Sequence, residues 1–173
     1  GGFWTEGDKG VYRSTDAGQT WTRMDVSANL RLGSVKLGQS GSRIAFAGRS
    51  LVTTTDNGTT WSTLLDDGSA QATDGRWVAA STPKPSLRVG QITEQGIVWT
   101  ADIDGDWNVA AIHGAANGVR IVGTQKLSTQ VELLEGTANG VDFSSTRLDT
   151  NPAWVGLGAR VLWMDNNRRT HFR

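Results

Sequence analysis

The sequence predicts an all-β fold, a β-propeller or propeller arc of about four to five blades, and three observations predict it. A turn-like pattern recurs along the chain and ends in an aromatic residue at positions 21, 61, 107 and 143, leaving intervals of 40, 46 and 36 residues. That spacing is the length of one propeller blade. Short runs with strand character, bounded by Gly, Asn and Asp, flank every copy, and no amphipathic helix of more than two turns can be traced. The composition agrees: 22 Gly and 8 Trp against 3 Pro in 173 residues suit many tight turns plugged by a large aromatic ring.

The copies run in order. Ser14-Thr-Asp16-Ala-Gly18-Gln-Thr-Trp21 recurs with every spacing preserved as Thr54-Thr-Asp56-Asn-Gly58-Thr-Thr-Trp61. Thr100-Ala-Asp102-Ile-Asp104-Gly105-Asp106-Trp107 keeps the hydroxyl, the carboxylate and the Trp but moves its Gly by one place. Gly136-Thr-Ala138-Asn-Gly140-Val-Asp142-Phe143 keeps Gly140, replaces Trp by Phe143 and lacks the first Asp. Each copy follows a β-like run: Val11–Arg13, Leu51–Thr53, Ile97–Trp99 and Val131–Leu134. Further runs lie upstream at Arg43–Ala47, Arg76–Ala80 and Val119–Val122, and Arg160–Met164 opens a fifth hairpin. Thr82-Pro83-Lys84-Pro85 reads as an inserted loop that lengthens the second interval.

Each copy is expected to close a hairpin between two strands of one blade. The Asp carboxylate accepts backbone N–H groups across the turn, and the Ser or Thr hydroxyl adds a second side-chain bond to the backbone. Gly takes the positive φ that a side chain resists. Trp folds back over the turn and packs between sheets. Nothing in this scheme needs a substrate.

The pattern resembles the Asp-box, or bacterial neuraminidase repeat, and Gly10-Val-Tyr-Arg-Ser-Thr-Asp-Ala-Gly-Gln-Thr-Trp21 is a near-consensus copy of it. Through its four repeats the resemblance spans essentially the whole chain. It extends to sialidases, xyloglucan-degrading glycosidases, sortilin-type receptors, photosystem assembly factors and phage tail proteins. It implies a propeller whose repeats sit at the blade periphery, away from the central binding face. Activities in that family are too varied for the repeat itself to choose one.

Composition excludes some functions. The chain carries 17 basic and 17 acidic residues, a formal net charge of zero, so no nucleic-acid surface of the counterion-releasing kind is expected. The pair Arg168-Arg169 reads as a solvated cluster. No apolar run is long enough to span a bilayer as a helix. Cysteine is absent, which removes disulfides and thiolate metal sites. The chain opens Gly1-Gly2 rather than Met, so an N-terminus processed, cloned or cut from something larger is expected.

A sialidase-type site, as the resemblance implies it, needs an arginine cluster, a Tyr nucleophile and an acidic partner. The single tyrosine, Tyr12, stands where the repeat needs a packing residue. Paired-carboxylate hydrolysis needs two acids facing across a cleft, and Asp66, Asp67, Asp74, Glu94 and Asp149 form no motif. Asp102, Asp104, Asp106 and Asn108 alternate as in a calcium loop, yet Gly is fourth and His113 twelfth, against the sixth-Gly, twelfth-Glu pattern of an EF-hand. His113 and His171 have no partnering ligand in sequence, so each reads as a surface or turn residue. Trp77 and Trp163 read as packing between blades, Trp99 as core, and Trp4 and Trp154 as the candidates for stacking on a ligand such as a sugar ring.

The expectation is therefore one domain over residues 1–173, or a fragment of a larger propeller, with no catalytic residue, metal or cofactor assigned. The function expected is a non-catalytic binding or scaffold module of a larger extracellular or virion, tail-like, assembly. The alternative is an incomplete part of a carbohydrate-active enzyme. Protein partners or further copies of the propeller are expected, with a glycan as a second ligand class. Because an isolated open arc would expose sheet edges and Trp faces, either a small closed ring or a multi-chain or longer-chain assembly is expected.

Overall fold

A computed structural model describes residues 3–7, 10–26, 36–40, 42–48, 50–115, 118–126, 128, 130–137, 142–148, 154–157, 161–164 and 169–172. Among them are 18 strands in five antiparallel sheets, and no helix. Sheet 1 holds β1 (Phe3–Gly7), β2 (Gly10–Ser14) and β3 (Thr22–Met24). Sheet 2 holds β4 (Lys36–Ser40), β5 (Arg43–Ala47), β6 (Leu51–Thr54) and β7 (Ser62–Leu65). Sheet 3 holds β8 (Ala70–Thr73), β9 (Trp77–Ser81), β10 (Ser86–Thr93) and β11 (Gly96–Asp104). Sheet 4 holds β12 (Trp107–Ala115), β13 (Gly118–Gln125), β14 (Val131–Gly136) and β15 (Phe143–Arg147). Sheet 5 holds β16 (Trp154–Leu157), β17 (Val161–Met164) and β18 (Thr170–Phe172).

Each sheet is a meander, its strands adjacent in chain order. The first strands of the four later sheets follow one another in space, β4 beside β8, β8 beside β12 and β12 beside β16. This is the blade arrangement of a β-propeller, with the inner strands gathered about a common axis.

The sheets stack face to face, so strands in the middle of a blade are buried on both sides. That explains the unbroken apolar run Ile44-Ala-Phe-Ala47, in which every residue is at most 1% exposed. A strand buried on one face would alternate instead. Ile44, Phe46 and Val52 point at sheet 1, where they meet Trp4, Val11 and Met24. Ala45, Ala47 and Leu51 point the other way, at Ala70, Val78 and Ile92 of sheet 3. The largest core lies between sheets 3 and 4, around Trp77, Leu87, Val89, Trp107 and Ile121. Trp77 is 1% exposed, consistent with packing between blades. The side chain of Trp163 lies outside the description.

Two polar side chains tie sheet 3 to sheet 4. Gln71 stands at a bulge in β8, and its amide donates to the Trp107 carbonyl at 2.8 Å and accepts from the Val109 N–H at 2.7 Å. Asp74, in the turn after β8, accepts the Gly114 N–H at 2.5 Å. Sheets 2 and 3, besides their shared core, come close enough at one point for backbone to meet backbone: a Cβ on Gly38 would fall 2.3 Å from the Asp74 carbonyl carbon. Arg43 adds a bond of 2.7 Å to the Ile92 carbonyl.

The third repeat does not close a hairpin, which corrects the expectation. Thr100 and Asp102 lie within β11, the last strand of sheet 3, and Trp107 begins β12, the first strand of sheet 4. The segment is thus a crossing between blades. The turn of sheet 3 that corresponds to the first two repeats is Glu94-Gln95 between β10 and β11. It is too short to hold the motif, so Thr93 alone closes it, accepting the Gln95 N–H and donating to the Gly96 carbonyl. The interval of 46 residues ending at Trp107 reflects this displacement, and Thr82–Pro85 is simply the β9–β10 connection. The fourth repeat does join the third and fourth strands of its sheet, closed by the Thr137 N–H on the Asp142 carbonyl at 3.0 Å. Gly140 lies outside the described residues.

Candidate functional site

The first two repeats build the same turn atom for atom. In the first, Ser14 Oγ donates to Asp16 Oδ1 at 2.7 Å and accepts the Gly18 N–H at 2.8 Å. Asp16 Oδ1 accepts the Thr20 N–H at 2.9 Å, and Oδ2 accepts the Thr20 hydroxyl at 2.5 Å. Trp21 Nε1 donates to the Gly18 carbonyl at 3.1 Å. Thr54, Asp56, Gly58, Thr60 and Trp61 repeat all five bonds at 2.7, 2.9, 2.9, 2.6 and 3.1 Å. The backbone passes through the left-handed region twice in succession, at Ala17 and Gly18 (φ 59° and 90°) and at Asn57 and Gly58 (φ 58° and 86°). The hydrogen bonds from Thr20 and Thr60, above all from their hydroxyls, hold the Asp16 and Asp56 carboxyls at about 2, below the ordinary 3.8. Both carboxylates are thereby committed to their own turns.

In the third segment the carboxylates serve otherwise. Asp102 pairs with Arg88 at 2.9 Å, Asp106 pairs with Lys126 at 2.8 Å, and the Thr100 hydroxyl donates to the Val89 carbonyl at 3.1 Å. Trp107 alone keeps its role, with Nε1 on the carbonyl three residues back, that of Asp104, at 3.0 Å. Phe143 is half-buried against the core between sheets 3 and 4 and lies over Gly136. Among the described residues no group of three or more His, Asp or Glu converges as a metal site.

The remaining acids are scattered. Asp66 accepts the Ser50 hydroxyl at 2.5 Å, and Asp67 caps its own turn through the N–H and hydroxyl of Ser69. Glu94 is exposed, and Asp149 lies outside the described residues. Tyr12 is half-buried in β2. Trp99 is packed against the core between sheets 2 and 3 and lies beneath the Arg88 guanidinium, 5.3 Å from its ring centroid. Arg169 is exposed. The side chains of Trp154 and His171 are not described.

Trp4 is not a free stacking platform, which corrects that expectation. Its ring packs edge-on against Phe46 at 6.3 Å and Trp61 at 6.0 Å, with the Arg13 guanidinium 5.6 Å from its centroid. The ring is therefore part of the joint between sheets 1 and 2. One edge of it nevertheless borders a cavity, and its buried Nε1 has no hydrogen-bond partner.

That cavity, about 520 Å³, lies where the inner strands meet. Trp4 and Thr5 come from β1, Leu37 to Gln39 from β4, Ala72 to Asp74 from β8 and its turn, and Ala110 to His113 from β12. The wall is mostly small or aliphatic, and Leu37 is 40% exposed within it. Its ionisable side chains are Asp74 and His113. Asp74 holds three backbone groups, because besides the Gly114 N–H it accepts those of Arg76 at 2.9 Å and Trp77 at 2.6 Å. The neighbouring Thr73 hydroxyl donates to the Trp77 carbonyl at 2.7 Å. A carboxylate held in this way orients the backbone of its own turn and of β12. The cavity offers a wall of mostly small side chains with the Leu37 side chain and one imidazole, which is binding chemistry.

A second depression of about 640 Å³ lies between sheets 2 and 3. Hydroxyls of Ser40, Ser42, Thr55, Thr60, Ser62 and Thr93 line it, with Arg43 and Glu94 at its margin. Sequence reasoning missed both places. Each draws on residues from separate sheets, and no local motif brings them together.

No protein-family model matches the chain, and no curated protein matches it in sequence. Among solved structures, a chain of a nidogen/laminin complex is similar over 95% of this chain and 70% of that one, with a TM-score of 0.60 and 13% identity. At that identity the likeness speaks for fold, and the fold is a β-propeller.

Proposed function

We propose that the chain is a non-catalytic β-propeller module that binds a protein partner at its central cavity and serves as a scaffold in a larger extracellular or virion-type assembly. The observation that carries this reading is the cavity itself. Four sheets converge on it, it exposes Leu37 and the Trp4 edge, and its one carboxylate holds three backbone N–H groups. The geometry of the first two repeats, together with their near-consensus sequence, supports membership of the Asp-box propellers, in which the repeats hold blades together and the central face binds. The structure resembled, a protein–protein complex, fits the same role.

Affinity capture with the wild-type chain and with Leu37→Asp tests the proposal. The charge should abolish capture of a specific partner while leaving the melting temperature unchanged, because Leu37 is already 40% exposed. Equal capture by both proteins would remove the cavity from consideration. In parallel, a fluorogenic sialoside and a xyloglucan oligosaccharide should remain intact at high protein concentration. Cleavage of either would restore the glycosidase alternative.

A further inference from the structure

The joints between sheets are not all filled in the same way, and the turn after the third strand decides how. In sheet 2 that turn is the second repeat, and it lies against sheet 1. A Cβ on Gly58 would fall 2.7 Å from Met24 Cε and 2.8 Å from the Trp4 ring. Trp61 occupies the same joint, its ring 6.0 Å from that of Trp4 and 5.6 Å from that of Phe46. In sheet 4 the fourth repeat sets Phe143 against the core shared with sheet 3. Sheet 3 has no such turn. Glu94-Gln95 alone joins its third and fourth strands, and neither residue carries a ring to set against sheet 2.

The depression of about 640 Å³ between sheets 2 and 3 lies at this unfilled place. Alternation along the strands sets its sheet 2 side. Arg43 and Thr53 lie on the face that carries Ala45, Ala47 and Leu51 toward sheet 3. Ser62 pairs with Thr53, and Leu64 packs against the same core. Thr93 to Gly96 form the sheet 3 side. The Arg43 guanidinium is fixed by its bond of 2.7 Å to the Ile92 carbonyl, so it bridges the two sheets.

We propose that this depression is a second binding site and that its ligand is a neutral saccharide. Its volume falls within the range of about 300–1,000 Å³ usual for small-ligand sites. Hydroxyls dominate the lining. Each can donate one hydrogen bond and accept others, which matches the ring hydroxyls of a sugar. Among the described residues, the side chains of Ser42, Thr55, Ser62, Glu94 and Gln95 make no hydrogen bond within the chain, so they are uncommitted. An apolar ligand would take water from these groups and return no hydrogen bond. A charged ligand of either sign meets both Arg43 and Glu94, one of which opposes it. Leu64 supplies an apolar contact for the C–H face of the ring. The site lies apart from the central cavity and does not depend on the binding role proposed there.

NMR chemical-shift mapping with maltotriose, cellotriose and triacetylchitotriose, each titrated to about 10 mM so that a millimolar Kd is visible, tests the proposal. At least one sugar should shift the amides of Ser42, Thr55, Ser62 and Gln95 together and leave those of β12 unmoved. Ser62→Phe sets a ring into the depression from an exposed position. It should abolish the shifts without changing the melting temperature. Ser42→Ala removes one hydroxyl and should weaken binding by about two- to tenfold. Leu37→Asp in the central cavity should leave saccharide binding as it is, so the two sites fail independently. Silence from all three sugars would overturn the proposal, as would binding that both Ser62→Phe and Ser42→Ala leave intact. Shifts produced there by sodium sulfate but by no sugar would overturn it as well, by making Arg43 an anion site.

Discussion

Residues 54–61 and 100–107 look like two editions of one motif, yet they do different work. In the first, a hydroxyl, a carboxylate and an indole satisfy the backbone of an eight-residue hairpin turn. In the second, the carboxylates have become partners of Arg88 and Lys126, and the indole alone retains its bond. Burial has moved in the opposite direction. Trp61 is half-buried, whereas Trp107 is 3% exposed in the core between sheets 3 and 4. The residue types survive the change because each has a local use in either setting. What the motif stabilises depends on whether the chain turns back into its own sheet or crosses to the next.

This contrast is sharpest at the two tryptophans. Trp107→Ala should cost about 3–5 kcal/mol, the range for deleting a large buried side chain. Trp61→Ala should cost clearly less, because part of its ring already meets water. Urea melts of both variants check the order, and a larger loss at Trp61 would reverse the assignment of core and cover.

The next effect is at the carboxylates. Asp56→Ala removes the acceptor for the Thr60 N–H, the Thr60 hydroxyl and the Thr54 hydroxyl and should lower the melting temperature by several degrees. Its signature is also in pH. A folded-state value of about 2 against 3.8 means that the stabilisation is fully present above pH 3.8 and is lost as the pH falls toward 2. Asp16 behaves alike. Melting temperatures of the wild type should therefore fall through that window more steeply than those of a variant lacking both Asp16 and Asp56. Parallel curves would show that the carboxylates contribute nothing to the folded state.

The smallest effect is expected at Asp102→Ala. Its ion pair with Arg88 is exposed at both ends, the side chains being 53% and 41% accessible. Such pairs are worth about 0–1 kcal/mol. Salt titration of the wild type and the variant should bring their stabilities together. A loss as large as that of Asp56→Ala would mean that the two segments share more than their sequence.

The same contrast explains what could be read before the fold was known. The turns at 14–21 and 54–61 were legible because all their bonds close within eight residues, and residue chemistry at that range needs no tertiary partner. The place of the third repeat is not legible, because Thr, Asp and Trp at the right spacing do not reveal where a strand ends. The β-like run Ile97–Trp99 is only part of β11, which continues to Asp104. The short turn at Glu94-Gln95 carried just one clue, Gly96 with φ 124° two residues beyond Glu94. The packing of Trp4 is hidden for a related reason: its partners, Phe46 and Trp61, are distant in sequence. The cavity was invisible altogether, being assembled from four strands that local patterning cannot place side by side.

Gln71 has a consequence for how the molecule comes apart. Its amide offers a donor and an acceptor to Trp107 and Val109, much as a peptide group in an adjoining strand would, while Asp74 secures Gly114 further along the same strand. Sheets 3 and 4 are thus laced through polar groups as well as pressed together by their shared core. Opening either one exposes unsatisfied N–H and C=O groups on the other. The pair should open as a single cooperative unit, with the slowest-exchanging amides of the chain running from β9 through β13. A pulling force or a protease would find its first purchase elsewhere.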